Sequence, residues 1–513
     1  MNEKKLDLVL IHPGSRTRIY QSLGNELSAI EPPIWAGLLA TFARIKGLSV
    51  KILDAEAENL DPAQVAAKVK ELGPLLATVV VFGHQPSASS QNMTASGEIA
   101  KEIKKLDSGQ NVLFLGGHVA ALPEGTMKEE VCDYVSGGEG PYTLVELIEA
   151  LKTAAKDLSK VRGLWYRENG AIKSNPVPPL VLNLDQEMPG IAWDLLPMDK
   201  YRAHNWHCFG YPSRQPYGAI YTTLGCPYHC SFCCIQAPFK EGEKSAGYKE
   251  AVNSYRFWSP QQVMKDIDLL VNKYGVTHLR LSDEMFVLNT KHVHAICDGI
   301  IERGYKLNIW AYARVDTMRG EGTIEKLKKA GVNWLCFGFE SASERVRADV
   351  KKGYAQDELY PTIEKVRQAG IYIIANYIFG LPEDDLESMQ MTLEEAMKFN
   401  YEFANFYSAM AYPGSQLYNL AVEQGWALPK SWTQYSQHSV DTLPLPTKYL
   451  KAAEVIRFRD NAWNAYFSNE KYLAMVEEKF GRDTAMHVRE MASHKLERNI
   501  LTGEHNAQHT RTH

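Results

Sequence analysis

The sequence predicts an α/β protein with two successive parallel sheets and a helical C-terminal region. Short apolar runs alternate with amphipathic helices from residue 6 to about residue 153, and a second alternation of this kind runs from about 219 to 412. From about residue 445 the pattern becomes helical, with aromatic residues interleaved. A chain of 513 residues is too long for one ordinary core, so we expect two or three domains.

The first alternation contains five strand-like runs with helical stretches between them: LDLVLIH, SVKILDAE, ATVVVFG, NVLFLGG and CDYVSGGEG. Buried runs rich in β-branched residues predict a parallel sheet covered by helices on both faces. Ligands of such sheets bind beyond the carboxyl ends of the strands. Most of those ends are rich in glycine here, which lets a ligand approach the backbone closely. Glycines that only turn the chain would give the same pattern, so both interpretations stay open at this point.

The second alternation contains six further strand-like runs: AIYTTL, THLRLSD, LNIWAYAR, WLCFGFE, YIIANYIFG and FANFYSAMAY. Six βα units make three quarters of a (β/α)8 barrel, and the chemistry of such barrels lies at the C-terminal strand ends. A stretch rich in proline and turn residues, at about 160–215, separates the two alternations. The tail GEHNAQHTRTH has three histidines without metal-ligand spacing, so we expect a frayed terminus there.

Composition excludes several classes of protein. Hydrophobic residues make up 45% and charged residues 23%, which is typical of a globular protein, and the net charge of -5 gives no sign of a nucleic-acid partner. The apolar run near the N-terminus is too short for a signal peptide, and no run approaches the ~20 residues of a membrane span. Eight cysteines, half of them clustered, do not make a secreted disulfide scaffold. We therefore expect a cytoplasmic protein.

Four of the cysteines lie within nine positions of TTLGCPYHCSFCCIQAPF, directly after the first strand of the second alternation. Cys226, Cys230 and Cys233 form C-x3-C-x2-C, whereas Cys234 adjoins Cys233, so its side chain should point elsewhere. Thiolates are soft ligands that suit zinc or iron–sulfur centres. A structural zinc site needs four ligands, and no second cysteine pair follows at the required spacing. Three thiolates on a [4Fe–4S] cluster would leave one iron open for another ligand. Zinc and a disulfide remain the weaker alternatives.

This motif, with the aromatic Phe232 before its last cysteine and its place after strand one of a six-unit barrel, resembles the radical S-adenosylmethionine (SAM) superfamily. The preceding region resembles the cobalamin (B12)-binding domain found in one branch of that superfamily. The resemblance covers residues 1 to about 430. The expected domains are a Rossmann-like cobalamin-binding domain at 1–155, a linker at 156–214, a radical SAM partial (β/α)6 TIM barrel at 215–430 and a C-terminal helical region at 431–513.

The resemblance implies that the open iron chelates SAM and that reductive cleavage yields a 5′-deoxyadenosyl radical. It also implies SAM contacts at successive strand ends, which are Phe232, Asp283 or Glu284 for the amino group, Arg314 for the carboxylate, Glu340 for the ribose, and Gly380 and Tyr412 for the adenine. Family members carry Gly-Gly-Glu where this chain has Ser282-Asp283-Glu284, so which acid contacts SAM stays open. A rim ion pair for Arg314 and a lysine partner for Glu340 are the structural alternatives.

For cobalamin, the resemblance points to the strand-end loops of the first sheet, namely His12, Ser87, Ser89, Gly116, Gly117, Gly138 and Glu139. The signature D-x-H-x-x-G, which supplies a histidine to cobalt, is absent, because the first loop reads IHPGSRTRIYQSLG. The resemblance therefore implies cobalamin bound without a protein histidine on cobalt.

The function implied is that of a cobalamin-dependent radical SAM enzyme, a C-methyltransferase that uses methylcobalamin as methyl donor. A cyclase or rearrangement enzyme without net methylation and a non-catalytic iron–sulfur or cobalamin sensor are the alternatives. No general base is identifiable from the sequence, so the catalytic residues stay unknown. The expected partners are a small-molecule substrate and an external one-electron donor such as flavodoxin or ferredoxin.

Overall fold

The computed structural model describes residues 6–14, 28–85 and 87–502. Within these residues it contains two sheets made mainly of parallel strands, one short two-stranded antiparallel sheet and the helices around them. The predicted fold class, an N-terminal Rossmann-like domain followed by a partial six-stranded barrel and C-terminal helices, is confirmed. The tail that the sequence predicts to fray lies outside the described residues.

The first sheet contains seven of the described strands, which are β1 (Leu8–His12), β2 (Val50–Asp54), β3 (Leu76–Val80), β4 (Asn111–Leu115), β5 (Tyr134–Ser136), β6 (Leu164–Glu168) and β7 (Ala171–Ser174). Their spatial order is β2-β1-β3-β4-β5-β6-β7, and β1 to β5 are parallel. β1 and β3 are buried along their whole length, because helices cover both faces of the sheet.

Six helices accompany this sheet, which are α1 (Ile34–Ile45), α2 (Pro62–Leu72), α3 (Ala88–Leu106), α4 (Gly117–Ala121), α5 (Pro123–Glu129) and α6 (Pro141–Lys152). The sequence sets the ends of α2 directly. The side chain of Asp61 accepts from the Gln64 amide in a capping box, and the helix ends at Gly73, which has a φ of +52°. The first sheet and these helices are called the N-terminal domain below.

Helix α3 begins seven residues before the ASGEIAKEIKKL stretch that the sequence predicts as helical. Its first turns are polar. The Ser89 hydroxyl donates to the carbonyl of Val81 just after β3, and the Ser96 hydroxyl donates to the carbonyl of Asn92 within the helix, so both buried groups are satisfied. Ser87 and Ser89 therefore lie at the start of a helix and not in a loop.

The hairpin of β6 and β7 lies in the segment that the sequence predicts as a linker. β6 pairs antiparallel with β5, so the hairpin extends the edge of the first sheet beyond residue 155. Its turn is Asn169-Gly170, with φ values of +51° and +81°. An Asn-Gly pair with positive φ at both positions is the turn that best joins two antiparallel strands, and sequence reasoning passed over this signal.

The second sheet is an open barrel of six parallel strands, β8 (Tyr217–Ile220), β11 (His278–Leu281), β12 (Asn308–Ala313), β13 (Val332–Glu340), β14 (Tyr372–Phe379) and β15 (Phe403–Ser408). They follow one another in space as they do along the chain. A short antiparallel sheet of β9 (Thr223–Gly225) and β10 (Tyr255–Phe257) projects after β8.

The helices of this region are α7 (Leu184–Glu187), α8 (Lys240–Ser245), α9 (Pro260–Tyr274), α10 (Thr290–Glu302), α11 (Thr323–Lys329), α12 (Glu344–Asp349), α13 (Gln356–Gln368) and α14 (Leu386–Phe399). The C-terminal region adds α15 (Gln416–Glu423), α16 (Ala452–Phe467), α17 (Glu470–Phe480), α18 (Arg482–Ser493) and α19 (Asn499–Thr502).

Helix α16 packs against the last barrel strand, β15. Arg459 donates to the carbonyl oxygen of Phe406 in that strand (2.6 Å), and the Tyr466 hydroxyl donates to the carbonyl of Tyr401 just before it (2.7 Å). One hydrophobic cluster runs from Leu8 in β1 to Met491 in α18, so the two sheets share a core. In the described parts of the chain, no helix has the length and apolar character needed to cross a membrane.

Candidate functional site

The cysteine loop begins at a close contact between two backbone segments. Gly225, just before Cys226, has a φ of +88°, and a Cβ there would lie 2.3 Å from the carbonyl oxygen of Ser254. The Cys226 amide donates to Gln236 Oε1 (3.1 Å), and the Gln236 side chain donates in turn to Glu243 (2.6 Å). The loop is thus held in shape by buried contacts with its surroundings.

The three motif cysteines are free thiols, with Cys226 buried and Cys230 and Cys233 partly buried. Burial raises the pKa of Cys226 to about 11 and raises that of Cys233 well above its usual value. Binding of a metal centre must therefore displace protons from these thiols. Among the residues described, no three His, Cys, Asp or Glu side chains are grouped so as to hold one metal ion. A [4Fe–4S] cluster makes no such demand, because each thiolate binds a different iron.

A cavity of about 1300 Å³, counted to its open mouth, lies between the cysteine loop, the carboxyl ends of the barrel strands and the N-terminal domain. We call it the cofactor cavity. Its lining includes Phe232 and Cys233 from the loop, and Gln85, Ser87 and Gln91 from the N-terminal domain. Both the cysteine loop and the N-terminal domain thus contribute walls to one space.

Asp283 and Glu284, the two acids after β11, have different surroundings. Asp283 is buried and accepts from the backbone amides of Thr222 (2.5 Å) and Thr223 (3.0 Å) and from the Thr222 hydroxyl. It therefore holds the chain that leads into the cysteine loop. Glu284 lines the cofactor cavity. Of this pair, only Glu284 is among the residues that line the cavity, so it is the better placed of the two to meet a ligand there.

Burial raises the pKa of Glu284 to about 7, with Arg280 opposing the shift and Asp283 adding to it. Because the free carboxyl titrates near 4.5, the stability contributed by protonated Glu284 is complete below that pH and is lost as the pH rises to about 7. We expect Glu284→Gln to raise the free energy of unfolding of the cofactor-free protein by roughly 1–3 kcal/mol at about pH 8, and by less at about pH 5. Denaturant titrations at the two pH values measure this, and equal effects at both would rule out titration of Glu284 as the cause.

Arg314 follows β12 and is buried against the cysteine loop. It forms two hydrogen bonds with the Asp316 carboxylate (2.9 and 3.2 Å), and its guanidinium lies over the Tyr228 ring, 3.9 Å from the centroid. Its Nη1 lies 4.0 Å from Cys230 Sγ. The structure shows the ion pair that the sequence left open as an alternative, and it places that pair beside a motif cysteine.

Glu340, at the end of β13, has a φ of +64°, which is uncommon for a residue with a side chain, and it lies at a bulge in the pairing with β14. Its carboxylate is 2.8 Å from Lys352 Nζ, and both side chains line the cofactor cavity while remaining less than a tenth exposed. The alternative of a lysine partner is therefore realised. Sequence reasoning did not identify Lys352, since nothing in its local sequence, KKGY, distinguishes it.

Of the residues predicted to line adenine, Tyr412 lies in the cofactor cavity and Gly380 packs elsewhere. Gly380 has a φ of +80°, and a Cβ there would lie 2.4 Å from Val455 of α16. Gly380 is not among the residues that line the cavity, and its evident role is the close approach of α16. The Tyr412 hydroxyl donates to the carbonyl of Tyr435 (3.3 Å).

The predicted cobalamin residues fall into two groups. Ser87 lines the cofactor cavity, while Ser89 and Gly117 line a smaller cavity beside it. His12 is buried at the end of β1 and lines another small cavity, and its Nδ1 has no hydrogen-bond partner among the residues that the structure describes. Gly116 allows a close approach between two backbone segments, because a Cβ on it would lie 2.5 Å from the backbone of Val81. Most of the first loop, 15–27, lies outside the described residues.

Gly138 and Glu139 form the second group and pack against other parts of the chain. A Cβ on Gly138 would lie 2.6 Å from Val177. The Glu139 carboxylate lies 2.8 Å from the guanidinium of Arg256 in β10 and accepts from the Val181 amide (3.0 Å). The prediction that these residues contact cobalamin therefore gains no support, because the space beside each of them is filled by another part of the chain.

A segment of the C-terminal region, Trp432–Tyr435, packs on the N-terminal domain. Trp432 donates to Glu130 (2.8 Å), and its ring meets that of His118 edge-on with centroids 4.7 Å apart. The following residues, Gln437 and His438, line the cofactor cavity. Sequence reasoning missed both, since only tertiary packing brings this segment to the cavity. Gln85 could have been predicted from the sequence, because it directly follows the strand end Gly83-His84.

The residues present fit the predicted cofactors by their chemistry. Three thiols in a fixed loop suit the cluster, and an acid, a paired lysine and a buried guanidinium suit the charged groups of SAM. The amides and hydroxyl of the N-terminal domain face the same cavity, as a bound cobalamin would require.

Comparisons with known proteins identify both regions. The family model for the radical SAM superfamily matches residues 220–396, and the model for the B12 binding domain matches residues 20–148. An uncharacterized methyltransferase of Pyrococcus horikoshii is 28% identical over 92% of this chain and 94% of its own length. The anaerobic magnesium-protoporphyrin IX monomethyl ester cyclase of Rubrivivax gelatinosus is 26% identical over 80% of this chain and 69% of its length.

A solved structure shares the fold. The radical SAM methyltransferase TsrM of Kitasatospora setae, with tryptophan and a SAM analogue bound, superposes with a TM-score of 0.66 at 15% identity. The superposition covers 99% of this chain and 100% of TsrM. The arrangement of the N-terminal domain, barrel and C-terminal helices therefore also occurs in TsrM.

Proposed function

We propose that this chain, a radical SAM enzyme that carries a B12-binding domain, is a cobalamin-dependent methyltransferase that transfers a methyl group to a carbon atom of its substrate. Its cofactors are a [4Fe–4S] cluster, SAM and cobalamin. The observation that carries the proposal is the cofactor cavity, which is lined by the cysteine loop on one side and by the N-terminal domain on the other. A cobalamin held by the N-terminal domain and SAM held beside the cysteine loop would meet in a single space.

We assign roles to residues that line this cavity and to three residues outside its lining, Cys226, Cys230 and Arg314. Cys226, Cys230 and Cys233 hold the cluster, and Phe232 packs beside it. Glu284 receives the SAM ammonium group, and its raised pKa leaves it ready to ionise when a cation approaches. Arg314 receives the carboxylate.

Glu340 accepts from the ribose hydroxyls while Lys352 holds its orientation, and Tyr412 lies against the adenine. On the opposite wall, Gln85, Ser87 and Gln91 contact cobalamin. When bound, the three cofactors supply an organic radical and a transferable methyl group, while the protein positions them and excludes water.

An anaerobic labelling experiment tests the proposal without knowledge of the substrate. The protein is reconstituted with iron, sulfide and reduced cobalamin, SAM with a trideuterated methyl group is added, and cobalamin is analysed by mass spectrometry. We expect the label on cobalamin in the wild-type protein and not in Cys233→Ala. A chemical reductant replaces the flavodoxin or ferredoxin that we propose as electron donor.

A cyclase or rearrangement activity is the second candidate, because the Rubrivivax gelatinosus relative is named a cyclase. Formation of 5′-deoxyadenosine with bound but unlabelled cobalamin would favour that activity over methyl transfer. Binding of cobalamin without SAM cleavage would instead favour a sensor.

A further inference from the structure

A second cavity, of about 1120 Å³, lies inside the barrel and adjoins the cofactor cavity. We call it the barrel cavity. The two share Gln85, Tyr312, Asn376, Tyr407 and His438 in their linings. A third cavity, of about 890 Å³ and called the vestibule here, lies among α16 and the residues that follow α18. It shares His438, Arg459 and Trp463 with the barrel cavity, so the three spaces form a series that leads from the C-terminal helices to the cysteine loop.

The barrel cavity combines aromatic walls with positive charge. Seven of its lining residues are Phe, Tyr or Trp, including Trp206, Trp310 and Trp463. Its charged lining residues in the described part of the chain are Arg280 and Arg459, without a carboxylate. Aromatic rings favour a planar apolar ligand, and an excess of guanidinium favours an anion.

Arg280 is paired with groups of the protein itself. It donates to Glu31 (3.1 Å) and to the carbonyl oxygen of His84 (2.7 Å), and its guanidinium lies 4.6 Å from the Trp310 ring centroid. Arg280 therefore ties the N-terminal domain to the barrel wall. Its buried Nε has no hydrogen-bond partner among the described residues, but Glu31 already balances its charge.

Arg459 differs in its counter-charge, which it does not have to itself. Its Nε donates to the carbonyl of Phe406 (2.6 Å) and its Nη1 to Asp460 (2.8 Å), and within the described part of the chain its Nη2 has no hydrogen-bond partner. Asp460 is shared with the buried Arg498, which donates to it at 2.9 and 3.0 Å. Two guanidinium groups thus share one carboxylate, which leaves a net positive charge and a free donor at the junction of the barrel cavity and the vestibule.

The vestibule carries the same sign of charge. Arg457 and Lys495 line it, are exposed and form no ion pair in the described part of the chain. Its acidic lining residue in that part of the chain is Asp460, which Arg459 and Arg498 already neutralise. A cleft lined by one sign of charge attracts the opposite charge and speeds its association.

We propose that the substrate is a carboxylate with a planar apolar body, which enters through the vestibule and places its carboxylate on Arg459. The planar body then lies among the aromatic residues of the barrel cavity and reaches the cofactor cavity past His438. Asn405 and Asn376 lie on the way and are linked, since Asn405 donates to Asn376 at 2.9 Å. This inference rests on the proposed function, because it takes the cofactor cavity as the place of reaction.

Calorimetric titration of the full chain, reconstituted with cluster and cobalamin, tests the inference with two matched probes. 2-Naphthoate carries the carboxylate, and 2-naphthamide is its neutral isostere. We expect tighter binding of the naphthoate, and we expect Arg459→Gln to weaken naphthoate roughly 10- to 100-fold while leaving naphthamide nearly unchanged. The control Arg489→Gln, on the exposed face of α18 where Arg489 pairs with Glu470 (3.4 Å), should leave both probes unchanged.

Equal affinity for the two probes, an Arg459→Gln variant that keeps the preference, or failure of both probes to bind at millimolar concentration would overturn the inference. If Arg459→Gln does not fold, the double variant Arg457→Gln/Lys495→Gln takes its place, because both side chains are exposed and unpaired. It should bind naphthoate more weakly than wild type at low salt and equally at high salt, and an unchanged salt dependence would also overturn the inference. Binding needs neither SAM cleavage nor methyl transfer, so this result and the labelling result can fail independently.

Discussion

Cys233→Ala is expected to lose the cluster, with iron and sulfide falling to background and no 5′-deoxyadenosine formed from SAM. Three thiolates are the minimum that the motif offers, and removal of one leaves two irons without protein ligands. Cys233 lines the cofactor cavity, so its loss also changes the wall of that cavity. Iron and sulfide analysis, electron paramagnetic resonance of the reduced protein and a 5′-deoxyadenosine assay measure the effect.

Cys234→Ala is the matched control, because it makes the same change one residue further along the chain. Contrary to the expectation that its side chain points elsewhere, Cys234 lines the cofactor cavity as Cys233 does, and it also lines the smaller cavity beside the N-terminal domain with Ser89 and His118. We expect this variant to keep iron, sulfide and SAM cleavage. If Cys234→Ala loses the cluster and Cys233→Ala keeps it, our assignment of the ligands is wrong. Zinc in place of iron in the wild-type protein would contradict the cluster itself.

Glu139→Gln is expected to lower the free energy of unfolding by about 3–5 kcal/mol, because it leaves the Arg256 guanidinium buried without its counter-charge. Both side chains of this pair are 5% exposed, and Arg256 also lies 5.0 Å from the ring centroid of Phe239. Cobalamin affinity, measured by absorbance titration, should change little, since Glu139 faces the second domain. A large loss of cobalamin affinity with unchanged stability would instead support the contact between Glu139 and cobalamin that the resemblance implied.

Glu146→Gln serves as the control for this change, because Glu146 also lies in the N-terminal domain and also pairs with an arginine. Its partner Arg162 is 49% exposed, so the pair is screened by water. Such surface pairs contribute about 0–1 kcal/mol. The double variant Glu139→Met/Arg256→Met should recover most of the stability lost in Glu139→Gln, because it removes both buried charges together.

The strand ends illustrate how far sequence reasoning reached. The resemblance implied SAM contacts at Glu284, Glu340 and Tyr412, which follow successive strands, and the structure brings these three residues to one cavity. The same reasoning also selected Gly380 and Glu139, which pack against α16 and Arg256 instead. A strand end specifies the edge of the sheet at which a residue lies. It does not specify whether a neighbouring helix or domain already occupies that edge.

The sequence by itself determined the two alternations of strand and helix, the place of the cysteine loop after the first strand of the second alternation, and the sheet edges at which the candidate site residues lie. Those features depend on local periodicity and on short spacings, which are written directly in the chain. The tertiary structure decided which of Asp283 and Glu284 lines the cavity, which lysine pairs with Glu340, and that Gln437 and His438 help to close the cavity. Each of these depends on contacts between segments far apart in sequence, where packing and the burial of charge select the partner.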